Sequence, residues 1–154
     1  MFSFFVPGKP MGKERPRHTR TGVTYTPGKT KAYEEFVRTI FKDKYKASKP
    51  IDKGISVAVF IIAYFKQPKN LTKAKRELIA KDKLYPTVKP DNDNIAKIIC
   101  DSLNGLAYAD DNQITELKVC KRYAEVKEEG KVVVFITTFA EHPELFDMCK
   151  GFEV

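Results

Sequence analysis

A chain of 154 residues suits one folded domain and can bury a core without disulfide or metal staples. Its 42% hydrophobic content, with 11 Phe and 7 Tyr, excludes a disordered chain. Lys+Arg of 28 against Asp+Glu of 20 gives +8 and a pI of about 9.3, which suits a polyanionic partner without naming one.

The N-terminal MFSFFVPGKP lacks the basic region and long apolar run of a signal peptide. The longest apolar stretch, 57–65, is about half of what a spanning helix requires. The expectation is a soluble, cytoplasmic protein with no membrane partner. Cys100, Cys120 and Cys149 are odd in number and far apart, and His18 and His142 are isolated, so reduced thiols are expected rather than zinc. Cys100 is expected to pack within a helix.

Residues 2–6 (FSFFV) read as a short strand stopped by Pro7-Gly8. The basic segment from Lys9 to Arg20 is broken by Pro10, Gly12 and Pro16 and cannot be a helix interior. Thr21-Gly22 reads as a turn tip, with VTY following. From Thr30, a candidate N-cap, Tyr33, Phe36, Val37, Ile40 and Phe41 recur at three and four, predicting a helix to about Tyr45. Residues 55–65 are apolar at both parities and predict a strand covered on both faces. Asn70 opens a second helical stretch with a basic face of Lys73, Lys75 and Arg76, and 84–89 is extended because Pro86 and Pro90 disfavour helix before them.

A third helix is expected from near Asp91 to Asn104-Gly105. Residues 114–123 alternate, with Leu117, Val119 and Tyr123 opposite Glu116, Lys118 and Arg122. Residues 131–139 are more uniformly apolar, and the Glu128-Glu129-Gly130 turn predicts that these two strands form a hairpin. The tail from Glu141 reads as a short helix. The whole is an α+β domain over residues 1–154, a mixed or antiparallel sheet packed with two to three helices.

The informative stretch is KPDNDNIAKIICDSLNGLAYADDNQI, residues 89–114. At 100° per residue Ile95, Ile98, Ile99, Leu103 and Leu106 form one apolar stripe, while Asp93, Asn94, Lys97, Asp101 and Asn104 gather on the opposite flank. Acidic residues at a helix start are usually caps that suit the helix dipole. Three features add to that plain reading. Lys97 lies four residues after Asp93, as either a helical ion-pair partner or a catalytic cation. Asp110-Asp111 precedes a strand and reaches the helix start if that strand runs back alongside it. The acids also lie in an otherwise basic chain. Clustered carboxylates call for a cation between them, and Mg²⁺ binds through few carboxylates while keeping waters for a phosphate.

The pattern K-P-D-x-D-N-I-x-K, followed by D-S-L-N-G and D-D-x-Q-I, closely resembles the RusA family of Holliday junction resolvases, common in phages and prophages. The run GKERPR…YTP is similar to the phage-type members, so the resemblance spans most of the chain. It implies that Asp91, Asp93 and Asp111 are catalytic and hold the metal, with Lys97 as the active-site lysine. It further implies Mg²⁺ (or Mn²⁺), a homodimer, and paired nicks in opposed strands of a four-way DNA junction. Asn92 stands where relatives are commonly apolar. Asp110 is open between an extra ligand and a neighbour that tunes Asp111.

Lys13, Arg15, Arg17, Arg20 and Lys89 are the candidate DNA-binding cations, with Lys9 in the same segment. Tyr25 is a candidate for stacking on an unpaired base. Lys73, Lys75, Arg76, Lys118 and Arg122 are weaker candidates. A junction is cut at two symmetry-related strands and the chain carries one site, which also calls for a two-fold dimer. Alternative readings are a broader nuclease for flaps and forks, and an inert junction-binding protein.

Overall fold

The computed structural model describes residues 1–15, 17–18, 24–25 and 27–146. In chain order its main elements are β1 (Phe2–Pro7), β2 (Arg17–His18), β3 (Thr24–Tyr25), α1 (Gly28–Lys44), β4 (Val57–Phe65), α2 (Lys73–Ala80), α3 (Asn92–Leu103), β5 (Ile114–Tyr123) and β6 (Lys131–Thr138). Short 3-10 turns cover Asp111–Gln113 and Pro143–Phe146, the latter where the tail helix is expected.

Period-two patterning makes β1 a strand with one core face: Phe2, Phe4 and Val6 are buried, and Ser3, Phe5 and Pro7 are exposed. The main sheet has the order β1-β6-β4-β5, antiparallel except for the parallel pair β4 and β5. α1 and α3 cover one face. Tyr33, Val37 and Phe41 of α1 and Ile95, Ile98, Ile99 and Leu103 of α3 join Val57, Val59, Ile61, Val132, Val134 and Ile136 in a single core. Fully burying one such aliphatic side chain contributes about 1.5–3 kcal/mol. This is the expected α+β architecture with a mixed sheet.

The expected β5–β6 hairpin does not form. β4 lies between the two strands, and Ala124 closes the end of β5 by donating its N–H to the Phe65 carbonyl at 2.8 Å. The side chains explain the order. β4 and β6 are apolar at most positions and occupy the centre, whereas the alternating, charged β5 belongs at an edge. Leu117, placed inward by alternation, is 48% exposed on that edge. β4 itself is fully covered on one face only. Phe60, Ile62 and Tyr64 are half-buried on the other, where Phe60 meets Phe135 and His142 packs over Phe135.

Two helix starts also differ. Pro27 precedes α1, so Thr30 is not the cap but a fully buried residue of the first turn, its Oγ1 accepting from the Glu14 N–H at 3.4 Å. α2 begins at Lys73 rather than at Asn70, with Thr72 accepting from the Lys75 N–H. Phe36, expected on the core face of α1, is 43% exposed. Leu106 lies beyond the end of α3 and is half-buried. Among the described residues no helix is long and apolar enough to cross a membrane. The turn expected at Thr21-Gly22 lies outside the described residues, between the paired strands β2 and β3.

Candidate active site at the start of α3

α3 begins where the extended segment before it meets Asp91, in extended conformation at the N-cap, and ends at Asn104 before Gly105 at φ +73°. An Asp at this position ordinarily caps the first-turn N–H groups with its carboxylate. Here Asp91 makes no such bond and its side chain is exposed. Asp93, also exposed, sits in the first turn, where the N-terminal end of the helix dipole favours negative charge. Lys97 projects one turn further on and is exposed. Among the described residues it makes no ion pair with Asp93 or with any other acid.

The first part of the basic segment, residues 9–15, is a strap laid across the start of this helix. The Lys13 N–H donates to the Asn94 carbonyl at 2.9 Å, and Gly12 passes so close that an added β-carbon would meet Pro90 Cβ at 2.6 Å and Asn94 Cβ at 2.9 Å. Between the strap, the start of α1 and the residues leading into α3 lies a cleft of about 780 Å³. Lys9, Lys13, Arg15, Lys29 and Lys89 line it, together with the acids Glu14 and Asp91. The Lys13 ammonium is already engaged, bonded to Asp101 and 3.1 Å from Glu34. Burial alone would pull its pKa down, but those two acidic partners outweigh it and hold the pKa above the usual 10.5.

The D-D-x-Q-I motif separates into a scaffold and one uncommitted acid. Asp110 caps the 3-10 turn, accepting from the Asn112 N–H at 3.0 Å, while Gln113 Oε1 accepts from the Asp110 N–H at 2.9 Å. Gln113 Nε2 then donates to the carbonyls of Asp52 and Ile55, fixing the start of β5 against the loop before β4. Asp111 is left exposed. β5 does run back alongside α3, bringing the Val119 carbonyl within 3.3 Å of Asn92 Nδ2. Asp111 is therefore near the later turns of α3 rather than beside the N-cap. Its charge bears on Cys100, whose thiol burial pushes up to about 11, and on buried Tyr108, whose pKa burial also raises. Asp93, Lys97 and Cys100 follow one another down a single line of the helix, so Asp93, Lys97 and Asp111 border the same flank.

Among the described residues no three His, Cys, Asp or Glu side chains converge closely enough to hold a metal ion. The donor chemistry nonetheless fits a hard divalent cation at the start of α3: Asp91 and Asp93 are exposed carboxylates without ion-pair partners among the described residues, and Asp111, also exposed and without an ion-pair partner among them, stands farther down the same flank. Mg²⁺ takes one or two carboxylates and completes its shell with water and substrate phosphate, so a closed protein cage is not required.

The structure thus brings Lys13, Arg15 and Lys89 to one cleft with Asp91, and places Asp93, Lys97 and Asp111 along the adjoining helix flank. Arg17 lies in β2 and Tyr25 in β3, with side chains outside the described set, and Arg20 lies outside it altogether. Lys29 was not legible in sequence as a residue of this cleft, since a lysine at a helix start carries no signal until the strap is folded beside it.

Residues 7–137 match the family Endodeoxyribonuclease RusA. The chain is also similar to the uncharacterized protein YqaN of Bacillus subtilis (strain 168), 36% identical over 138 residues that cover 86% of this chain and 93% of that relative. The matched region contains the strap, all of α3 and the whole of the D-D-x-Q-I turn, and the chain belongs to the RusA endodeoxyribonuclease family.

Proposed function

We propose that the protein is a Mg²⁺-dependent endonuclease that resolves four-way DNA junctions by paired, symmetric phosphodiester hydrolysis, acting as a homodimer. The observation that carries this reading is the mostly basic cleft with Asp91 in its wall: a channel for a phosphodiester backbone beside uncommitted carboxylates. Lys9, Arg15, Lys29 and Lys89 would neutralise phosphates and set register. Asp91 and Asp93, at the start of α3, would hold the metal (Mn²⁺ substituting), which when bound supplies a Lewis acid and an activated water, and Asp111, farther along the same flank, would reach its shell through water. Lys97, free of the Asp93 carboxylate, would stabilise charge developing on the scissile phosphate. Asp110 is a scaffold residue in this reading and not a ligand. Two copies are required because one chain carries one such site and a junction is cut twice.

The test is cleavage of a labelled mobile four-way junction, a matched duplex and a flap in Mg²⁺, with Asp93→Asn as control. Paired nicks confined to the junction, lost in Asp93→Asn with binding retained, are expected. Equal cutting of flap and junction would replace the junction substrate with branched DNA in general. Tight binding without cutting in Mg²⁺ or Mn²⁺ would replace the enzyme with an inert junction-binding protein.

A further inference from the structure

Asp91 stands between two clefts, and the second is not basic in the same way. It has a volume of about 530 Å³ and lies between the segment leading into α3 and the outer edge of β5, with Tyr85, Asp91, Asn92, Lys121 and Arg122 among its walls. The segment is pinned there by two cations of β5. Lys121 Nζ donates to the Val88 carbonyl at 2.8 Å, and Arg122 Nε lies 3.2 Å from an Asp82 carboxylate oxygen. Tyr85 is fixed on both counts: its hydroxyl donates to the Asp82 carbonyl, and the Arg122 guanidinium carbon sits 4.5 Å from its ring centroid. Yet the ring is 43% exposed.

An aromatic ring held rigid by its hydroxyl and backed by a guanidinium has already lost the rotamer entropy that ligand stacking would otherwise cost. Its chemistry suits a flat π-face presented edge-free, and a nucleobase offers one only when it is out of the duplex stack. The site shares Asp91 with the phosphodiester cleft, so a base lodged there would belong to a nucleotide near α3. Resting on the reading of this chain as a branched-DNA nuclease, we propose that Tyr85, backed by Arg122, is a stacking platform for an unpaired base at the branch point. It would distinguish branched from continuous DNA.

The experiment uses the full chain in EDTA, so that nothing is cut, and measures affinity for a four-way junction and a matched duplex with Tyr85, Tyr85→Phe and Tyr85→Ala. The expected result is at least a five-fold loss of junction affinity in Tyr85→Ala, the lower end of about 1–3 kcal/mol per stacked base. Duplex affinity and melting temperature should stay unchanged in Tyr85→Ala, and Tyr85→Phe, which keeps the ring over the guanidinium but loses the hydroxyl's hold, should lose less junction affinity than Tyr85→Ala. Junction affinity within two-fold of the wild type overturns the platform. So does an equal loss on junction and duplex with a lowered melting temperature, which would make Tyr85 an anchor for its segment. If Tyr85→Ala does not fold, photocrosslinking of wild-type protein to junctions carrying 5-iodouracil at the branch decides: an adduct on Tyr85 supports the platform, adducts only elsewhere overturn it. A wild-type protein that binds junction and duplex alike would instead sink the branched-DNA reading, and the platform with it.

Discussion

Gly12 shows how a single residue sets the site. A β-carbon there would overlap Pro90 and Asn94, the two residues flanking the Asp91–Asp93 turn, and both obstacles are β-carbons rather than flexible side-chain ends. Gly12→Ala should therefore lower stability by about 1–3 kcal/mol, the usual cost of overpacking, measured by urea unfolding. Because the strap must lift, cleavage should fall even under conditions where the variant remains folded. Gly12→Ala with wild-type stability and activity would show that the strap is not seated as described. The two described thiols offer a second check. Burial raises Cys100 to about 11, so the stability due to its neutral thiol is intact below the usual 9.0 and is lost as pH rises toward 11. At pH 8, in a Cys149→Ser variant, a disulfide reagent should titrate Cys120 promptly and Cys100 only on unfolding. The acids from Asp91 to Asp111 were legible in sequence as a candidate group because their spacing is local. The engagement of Lys13 was not, since its partners Glu34 and Asp101 come from two different helices.

Among the elements, α2 is the exception to the way the others are held. It buries none of its residues, and its cap bond from Lys75 to Thr72 is long at 3.4 Å. A helix of eight residues without tertiary packing is marginal, because nucleation is costly and few hydrogen bonds follow. Its amides should exchange with solvent orders of magnitude faster than those of α3, whose Ile95, Ile98, Ile99 and Leu103 are fully buried; comparable protection in hydrogen-exchange measurements would contradict this. Element identity followed from periodicity almost throughout, and α3 falls between the predicted cap and stop. Strand partners did not follow. The turn expected at 128–130 falls instead at Val126–Lys127, closed by the Glu128 N–H on the Glu125 carbonyl, and pairing is decided by which strands can be apolar on both faces, a property of the whole sheet. That property puts β4 between β5 and β6.

At the scale of the molecule, the charge of +8 acquires a location. Four of the excess cations, Lys9, Arg15, Lys29 and Lys89, line one cleft, whereas Lys13 in the same cleft is held by Asp101 and Glu34 and contributes less free charge. If the cleft tracks the DNA backbone, each of the four displaces condensed counterions on binding. The slope of log affinity against log salt should then become shallower by about 0.9 for each phosphate contact removed. Substituting Arg15 and Lys29 by Gln should flatten the slope by up to about two such steps on duplex and junction alike, because phosphate contacts position without specifying. Lys73→Gln with Lys75→Gln, on the exposed face of α2 and outside the cleft lining, should leave the slope unchanged. A reversed pattern, with α2 governing the slope and the cleft silent, would move the DNA out of the cleft. It would also detach the backbone path from Asp91. The proportions of junction to duplex affinity should survive the Arg15 and Lys29 substitutions even as both affinities fall. Backbone contacts and shape recognition are thereby separated by one salt series.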